Sequence, residues 1–218
     1  MTTGDAAGKG DPIRPPEFDF SSGESRPLLE GDCHENIDYA SVDFSGQDLR
    51  DHSFETCAFT SCRFREMELS RASFCSCAFK DCEIVLATLN QTRLNGAFFD
   101  SCKIVGLNFA DCSDFGLSLA FKDCVVGSSV LFGKSLRKMK LLDCRLLDCD
   151  FGDCDLREAD FSGSIFKNVV FHNCNLEKAD FRTAQGYAID PLANKIRGAR
   201  FALPEAQSFL AFLGIRID

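Results

Sequence analysis

Between Leu141 and Phe181 a large apolar residue stands at every fifth position: Leu141, Leu146, Phe151, Leu156, Phe161, Phe166, Phe171, Leu176 and Phe181. Two residues before each sits a compact one, most plainly in Ala159-Asp160-Phe161 and Ala179-Asp180-Phe181. A period of five suits neither regular element. Five residues of α-helix turn about 500°, which swings successive apolar groups about 140° apart. On a flat strand an odd spacing sends them to opposite faces. The chain must therefore turn inside every unit. Three extended residues put the compact and the large side chain on one face, and the other two residues make a corner. Repetition winds the chain into a tube lined by these side chains, with the remaining positions outside.

The same phase runs through Phe44, Leu49, Phe54, Phe59, Phe64, Leu69, Phe74, Phe79, Ile84, Leu89, Leu94, Phe99, Ile104 and Phe109. The step from Phe109 to Phe121 is two positions longer than two whole units. A two-residue excess around Asp114, Phe115 and Gly116 is thus expected to form a bulge or small loop, with the register broken near 110–120. Phasing resumes at Phe121, Val126, Leu131 and Leu136. No proline lies between Ser41 and Phe181, as a backbone needing every N–H for its ladder requires.

The repeat explains an odd composition. Of 22 Phe, 14 fall on the fifth-residue positions, while there is no Trp. Ten of the 13 Cys (57, 62, 77, 82, 102, 124, 144, 149, 154 and 174) take the compact inward position, and Cys112 joins them if the first register continues. With an odd total and no CxxC pair, they read as reduced core thiols rather than metal ligands or disulfides. Cys33 and Cys75 lie off the pattern. His52 falls on an inward compact position, where a hydrogen-bonded role at a tube end or corner is expected.

The flanks differ. Residues 1–36 hold five of the 16 Gly and four of the six Pro, and residues 1–41 carry nine Asp/Glu against three Lys/Arg. This reads as a flexible acidic tail, in which Phe18 and Phe20 stand out. The β-helix is expected over 37–185 and a C-terminal cap over 186–218. The five-residue pattern ends after Phe181. Pro204-Glu205-Ala206 then opens a helix whose apolar residues Phe209, Leu210, Phe212 and Leu213 precede Gly214, a C-terminal cap. A solenoid end needs a cap or a partner.

The 27 repeat units over about Ser41 to Phe181 closely resemble the pentapeptide-repeat family, whose unit is near Ala-Asp/Asn-Leu/Phe-x-x. The resemblance implies an all-β protein: a right-handed quadrilateral β-helix with four pentapeptides per coil, about seven coils here. The mid-chain slip and the ending Tyr187-Ala188-Ile189-Asp190, Lys195 to Phe201 and Pro204-Glu205-Ala206 are similar to the topoisomerase-protecting branch, and most to its albicidin-resistance members; quinolone-resistance and microcin-immunity members are more distant. That branch implies a homodimer joined at the C-terminal ends, a rod like DNA in width and charge, and binding to DNA gyrase or topoisomerase IV. It makes Phe201, Phe209, Leu210, Phe212, Leu213 and Ile215 the dimer-interface candidates. The acidic tail and the lack of long loops depart from the branch.

Net charge is −9, which argues against a cationic nucleic-acid binder. Most of the excess lies in the tail: residues 42–109 contribute −2, 110–181 contribute −3 and 182–218 contribute +2. The outward candidates for a partner surface are Asp123, Asp143, Asp148, Asp150, Asp153, Asp155, Asp160 and Asp180. Asp123 and Asp143, like Asp160 and Asp180, are four whole units apart and should stack one coil above the other. Equally, Asp suits corners for its own sake. Lys134, Arg137, Lys138 and Lys140 read as a solvated basic face. No GxSxG, P-loop or HExxH pattern occurs, so a non-enzymatic protein without cofactor or metal is expected. Neither a signal peptide nor an apolar stretch near the roughly 18 residues of a membrane span is evident, and a cytoplasmic location follows.

Overall fold

In a computed structural model that describes residues 31–215, the chain forms a right-handed quadrilateral β-helix closed by one short helix. Each coil contributes one three-residue strand or bridge to each of four faces, numbered 1 to 4 in chain order. Face 1 stacks His34, Phe54, Phe74 and Leu94. Face 2 stacks Tyr39, Phe59, Phe79, Phe99, Phe121 and Leu141. Face 3 stacks Phe64, Ile84, Ile104, Val126, Leu146 and Phe166. Face 4 is held by bridges through Asp48, Glu68 and Thr88, then Asn108, Val130, Asp150 and Val170. All pairing is parallel, with partners four units apart along the chain except across the break, where Phe99 meets Phe121 and Ile104 meets Val126.

The corner is a single residue. Two places after most large side chains the backbone turns left-handed, and at many corners the residue is not glycine: Asp143 has φ 54°, Asp148 φ 53° and Asp153 φ 56°. Left-handed backbone costs an L-residue about 1–2 kcal/mol. The ladder offsets it, because each corner N–H reaches a carbonyl one coil on, as from Asp148 N to Lys167 O at 3.0 Å. Many of these corners are Asn, Asp or Ser, whose short polar side chains suit the conformation.

The tube interior accounts for the phenylalanine count. Adjacent coils lie ~4.8 Å apart, and face 2 stacks flat rings at that spacing: Tyr39–Phe59 at 5.1 Å, Phe59–Phe79 at 4.8 Å, Phe79–Phe99 at 4.9 Å and Phe99–Phe121 at 5.0 Å. Each stacked pair adds about 0.5–1.5 kcal/mol beyond area burial. The compact positions of face 3 hold Cys62, Cys82, Cys102, Cys124 and Cys144, all buried. Their thiols donate to carbonyls of the coil below, Cys82 to Phe59 at 3.2 Å and Cys102 to Phe79 at 3.3 Å. All 13 cysteines are free, and Cys112 is buried with the inward set. Burial pushes the thiols of Cys112 and Cys154 up to about 12.

The coil begins earlier than the sequence reading placed it. Cys33–Glu35 already pairs with Ser53–Glu55, inside the stretch assigned to the tail. His34 and Tyr39 hold the five-residue phase and point inward, 3% and 5% exposed; a histidine in a large position hid the rung. The remaining tail, 1–30, lies outside the described residues. The coil also outlasts Phe181: Lys195 bridges Asn175 and Arg200 bridges Asp180. Ala199-Arg200-Phe201 is one more unit, in phase four whole units after Phe181 and hidden in the sequence because Gly186 and Pro191 stand at large positions between them.

At this first coil, polar atoms form a chain. Tyr39 Oη lies 3.2 Å from His34 Nδ1, His34 Nε2 lies 3.2 Å from His52 Nδ1, and His52 Nε2 lies 3.6 Å from Asp32. The two imidazoles stack in parallel at 5.5 Å. Burial and the adjacent His52 hold His34 below its ordinary pKa, with Asp32 pulling the other way. An unfolded histidine takes up its proton near pH ~6.5 while native His34 resists. The unfolded state thus binds more protons, and the first coil loses stability as pH falls from there to the native pKa, where the loss levels off. Hydrogen exchange at Ser53, whose N–H donates to Asp32 O at 2.7 Å, should show easier opening at about pH 5.5 than at about pH 7.5. His34→Phe should flatten that dependence; an equal dependence in the variant would refute the assignment.

The two-residue excess lies on face 1, between Phe109 of face 4 and Phe121 of face 2. Ser113 N still reaches Thr92 O at 2.9 Å and Ser118 N reaches Leu94 O at 2.9 Å. Between them the chain leaves the wall and exposes Phe115 at 79%. Gly116 turns at φ 70° against the Asn95 side chain, where a Cβ would sit 3.1 Å from Nδ2. Lys134 closes the gap. It stands two residues before Leu136, an inward compact position, and is 6% exposed. Its Nζ donates to Cys112 O at 2.7 Å and to Asp114 at 2.6 Å. Lys134 is therefore no part of a solvated basic face, as the sequence reading had it. The loop leaves room for its chain, and the loop's own carbonyl and carboxylate hold its charge.

Candidate functional site

The eight outward aspartates fall into two structural kinds. Asp150, Asp155, Asp160 and Asp180 precede a large inward residue and close the next corner. Their carboxylates accept from the N–H two residues on: Gly152 at 2.7 Å, Arg157 at 3.3 Å, Ser162 at 3.0 Å and Arg182 at 3.1 Å. Two also hold arginines, Asp155 to Arg157 Nε at 2.8 Å and Asp180 to Arg182 at 2.7 Å. Those hydrogen bonds hold both carboxyls below the ordinary range. Asp155 and Asp180 are thus neutralised by their own neighbours.

Asp123, Asp143, Asp148 and Asp153 are corner residues that project from the wall. Asp123 and Asp143 share the corner between faces 2 and 3, one coil apart, as their four-unit spacing predicted. Asp160 and Asp180 likewise pair on face 2. Asp143, Asp148 and Asp153, one unit apart, occupy three successive corners of a single coil. The eight do not form one stripe; they girdle the C-terminal half of the tube. Asp148 accepts from Asn168 Nδ2 at 2.9 Å, and Asp153 accepts from Asn173. Each amide stands one coil up and steadies its carboxylate without neutralising it.

Within this girdle face 4 has a distinct character. Its upper wall and flanking corners comprise residues 106–111, 128–133, 148–153 and 168–173, which contain no Lys or Arg but do contain Asp111, Asp148, Asp150 and Asp153. Asp111 was missing from the sequence candidates because the register slip obscured its position. It starts the loop and accepts from Asn108 Nδ2 at 2.8 Å. Four carboxylates with no cation among them, three in one coil and Asp111 two coils below, give the wall a local negative potential fixed by a rigid backbone. Phe132 and Val170 sit among them, 45% and 50% exposed.

The C-terminal candidates also divide. Phe201 stacks on Phe181 at 5.3 Å, and Phe209 meets Phe201 edge-on at 4.7 Å. These two cover the last coil. The helix Ser208–Phe212 ends at Gly214 with φ 71°, and Ile215 N–H bonds Leu210 O at 2.9 Å. Leu210 is half-buried, whereas Phe212, Leu213 and Ile215 are exposed at 43%, 49% and 51%. Beneath them the buried Tyr187 hydroxyl has no hydrogen-bond partner among the described residues. Among the described residues no helix is long and apolar enough to cross a membrane, and no cluster of His, Cys, Asp and Glu could hold a metal ion.

Comparison with known proteins fits this geometry. No curated protein matches the chain. Among solved structures, a trypsin-treated variant of QnrB1, a plasmid-mediated fluoroquinolone resistance protein, superposes with TM-score 0.58 at 17% identity, covering 85% of this chain and 91% of that one. HetL, a pentapeptide-repeat protein involved in heterocyst differentiation regulation in the cyanobacterium Nostoc, aligns at 19% identity over 78% of this chain and 84% of its own, with TM-score 0.42. At 17% identity the QnrB1 superposition speaks for the fold alone. The model of the pentapeptide repeat region matches residues 52–115 and 115–181, more than half of the sequence and the whole of the tube's central wall, and on that match the chain belongs to the pentapeptide-repeat family.

Proposed function

We propose that this chain is a non-enzymatic binding protein that docks on DNA gyrase, or its relative topoisomerase IV, where DNA would lie, and shields the enzyme from a poison such as albicidin or a quinolone. The observation that carries the reading is the cation-free upper wall of face 4, with Asp111, Asp148, Asp150 and Asp153. A topoisomerase's DNA-binding surface is basic, and fixed carboxylates complement it without first having to be ordered. The proposed partner surface is this wall rather than the whole girdle; Asp123 and Asp143, on the corner between faces 2 and 3, lie outside it. The protein acts in the cytoplasm as a homodimer joined through Phe212, Leu213 and Ile215, which doubles the length of the rod. A scaffold for some other protein partner is the second reading, favoured by Phe132 and Val170 exposed on the same wall.

The test is gyrase supercoiling in the presence of an albicidin-type or quinolone poison, titrated with the protein. Restored supercoiling, with none lost in the poison-free control, is expected. Replacing Asp148, Asp150 and Asp153 together by Asn keeps the corner geometry and the Gly152 hydrogen bond. It should raise the protective concentration about tenfold or more, since each charge contact is worth ~1 kcal/mol or more. A triple variant as protective as the parent would remove the acidic wall from the mechanism.

A further inference from the structure

Face 3 carries a second surface of opposite sign. Its six strands, Arg63–Arg65, Glu83–Val85, Lys103–Val105, Val125–Gly127, Arg145–Leu147 and Ile165–Lys167, hold five cations and one acid, Glu83. Glu83 is taken up by Arg65 and by Lys103, the latter at 3.0 Å. Among the described residues Arg145 and Lys167 have no ion-pair partner. Asp43 bridges Arg63 on the same face and pairs with it at 3.9 Å, so the outward wall carries net +3 on a chain of net −9, between corners that carry Glu66, Asp81, Asp123, Asp143 and Asp148. Its upper part is also apolar. Val125, Leu147 and Ile165 are 45%, 41% and 42% exposed; Val125, Arg145 and Ile165 stack in one outward column, Gly127, Leu147 and Lys167 in the other. Lower down, Leu86 at the corner with face 4 is 56% exposed and lies over Gly106, where a Cβ would stand 2.6 Å from its Cδ2. The glycine lets the leucine lie flat and extends the strip.

The chain itself contains a complementary sequence. Residues 1–30, outside the described residues, carry six acids against three bases. Within them Glu17-Phe18-Asp19-Phe20 alternates acid and aromatic. When extended, that order sets both phenyl groups on one side and both carboxylates on the other. Eleven residues from Phe20 to Gly31 reach at most about 40 Å. Leu147 lies five coils above the first, about 24 Å along the axis, which leaves chain enough to round a corner.

We propose that Glu17-Phe18-Asp19-Phe20 docks in cis on face 3, its phenyl groups over Val125, Leu147 and Ile165, with the long side chains of Arg145 and Lys167 reaching round the segment to its outward carboxylates. The strip is thereby covered by the chain's own segment, and the contact, partly ionic, is releasable by salt or by a stronger ligand. The corner carboxylates Asp143 and Asp148 flank the strip and confine the segment's acids to the two cations between them.

The experiment uses the full chain with a photoreactive benzoylphenylalanine in place of Phe18. Irradiation followed by mass spectrometry should place crosslinks within one chain, on face 3 between Val125 and Lys167. Their yield should fall about fivefold or more in Leu147→Asp, in Arg145→Glu and at ~1 M salt, where charges are screened within about 3 Å. Both replaced side chains are exposed, and an unchanged circular dichroism spectrum verifies the fold. Crosslinks between two copies, at the C-terminal cap or spread evenly over the four faces would overturn the proposal, as would a yield indifferent to Leu147→Asp.

Discussion

Phe161→Ala is expected to cost about 3–5 kcal/mol, the range for emptying a buried phenylalanine site. Phe161 is fully buried, stacked on Phe181 at 4.5 Å and met edge-on by Phe166 and Phe171 at 5.8 and 6.1 Å. Four walls closed by hydrogen-bonded ladders have little freedom to collapse into the space. The neighbouring Asp160→Ala removes the acceptor for Ser162 N–H at 3.0 Å and should cost about 1 kcal/mol. Urea unfolding of both variants measures the difference. Because each coil contacts chiefly its neighbours, the loss should concentrate in the C-terminal coils rather than spread along the tube. Near-equal midpoint shifts would sink the assignment of Phe161 inward and Asp160 outward.

Lys134→Ala should be the second large loss, about 2–3 kcal/mol. It strips Cys112 O of its donor at 2.7 Å, leaves a buried carbonyl unpaired and opens a void behind the loop. Lys134→Met keeps the volume and removes the desolvated charge, so it should lose less, about 1 kcal/mol, from the unpaired carbonyl alone. Asp114 is the more exposed partner, 79% by side chain, and Asp114→Asn, which retains an acceptor, should cost less than Lys134→Ala. Thermal unfolding of the three variants, with protease cleavage in 113–118 as the local readout, gives the order. Loss of the same size in Met and Ala would mean that the charge, not the packing, holds the loop to the wall.

The period of five is a local rule, and it made the fold legible. One large side chain inside, one compact side chain two places earlier and one corner per unit follow from side-chain alternation and left-handed corner geometry, without long-range information. The stacking of Asp123 with Asp143 followed from the four-unit coil, as did the inward column of thiols. Even the misjudged rungs obey the rule. His34, Tyr39 and Lys134 stand on inward positions and were passed over because their residue types argue for the surface. Burial of each is settled by a partner from elsewhere: His52 for His34, the stacked ring of Phe59 for Tyr39, and Cys112 O with Asp114 for Lys134.

The partner surface was less legible. An outward aspartate reads the same whether it closes its own corner, holds an arginine or faces solvent. Asp155 and Asp180 are spoken for by arginines two residues on, whereas Asp148 and Asp153 are steadied by amides one coil up. Which carboxylates share a wall depends on the register across the break at 110–120, since two extra residues shift everything beyond them. Asp111 joined the acidic wall, and the separate basic strip on face 3 came into view, only once the coils were stacked. The repeat itself determined the tube, because its period is satisfied within each unit of five. The placement of charge around the tube was decided by the tertiary structure, because neighbours on a wall come from successive coils, a full circuit of chain apart, and the ladder that aligns them exists only when the coils close.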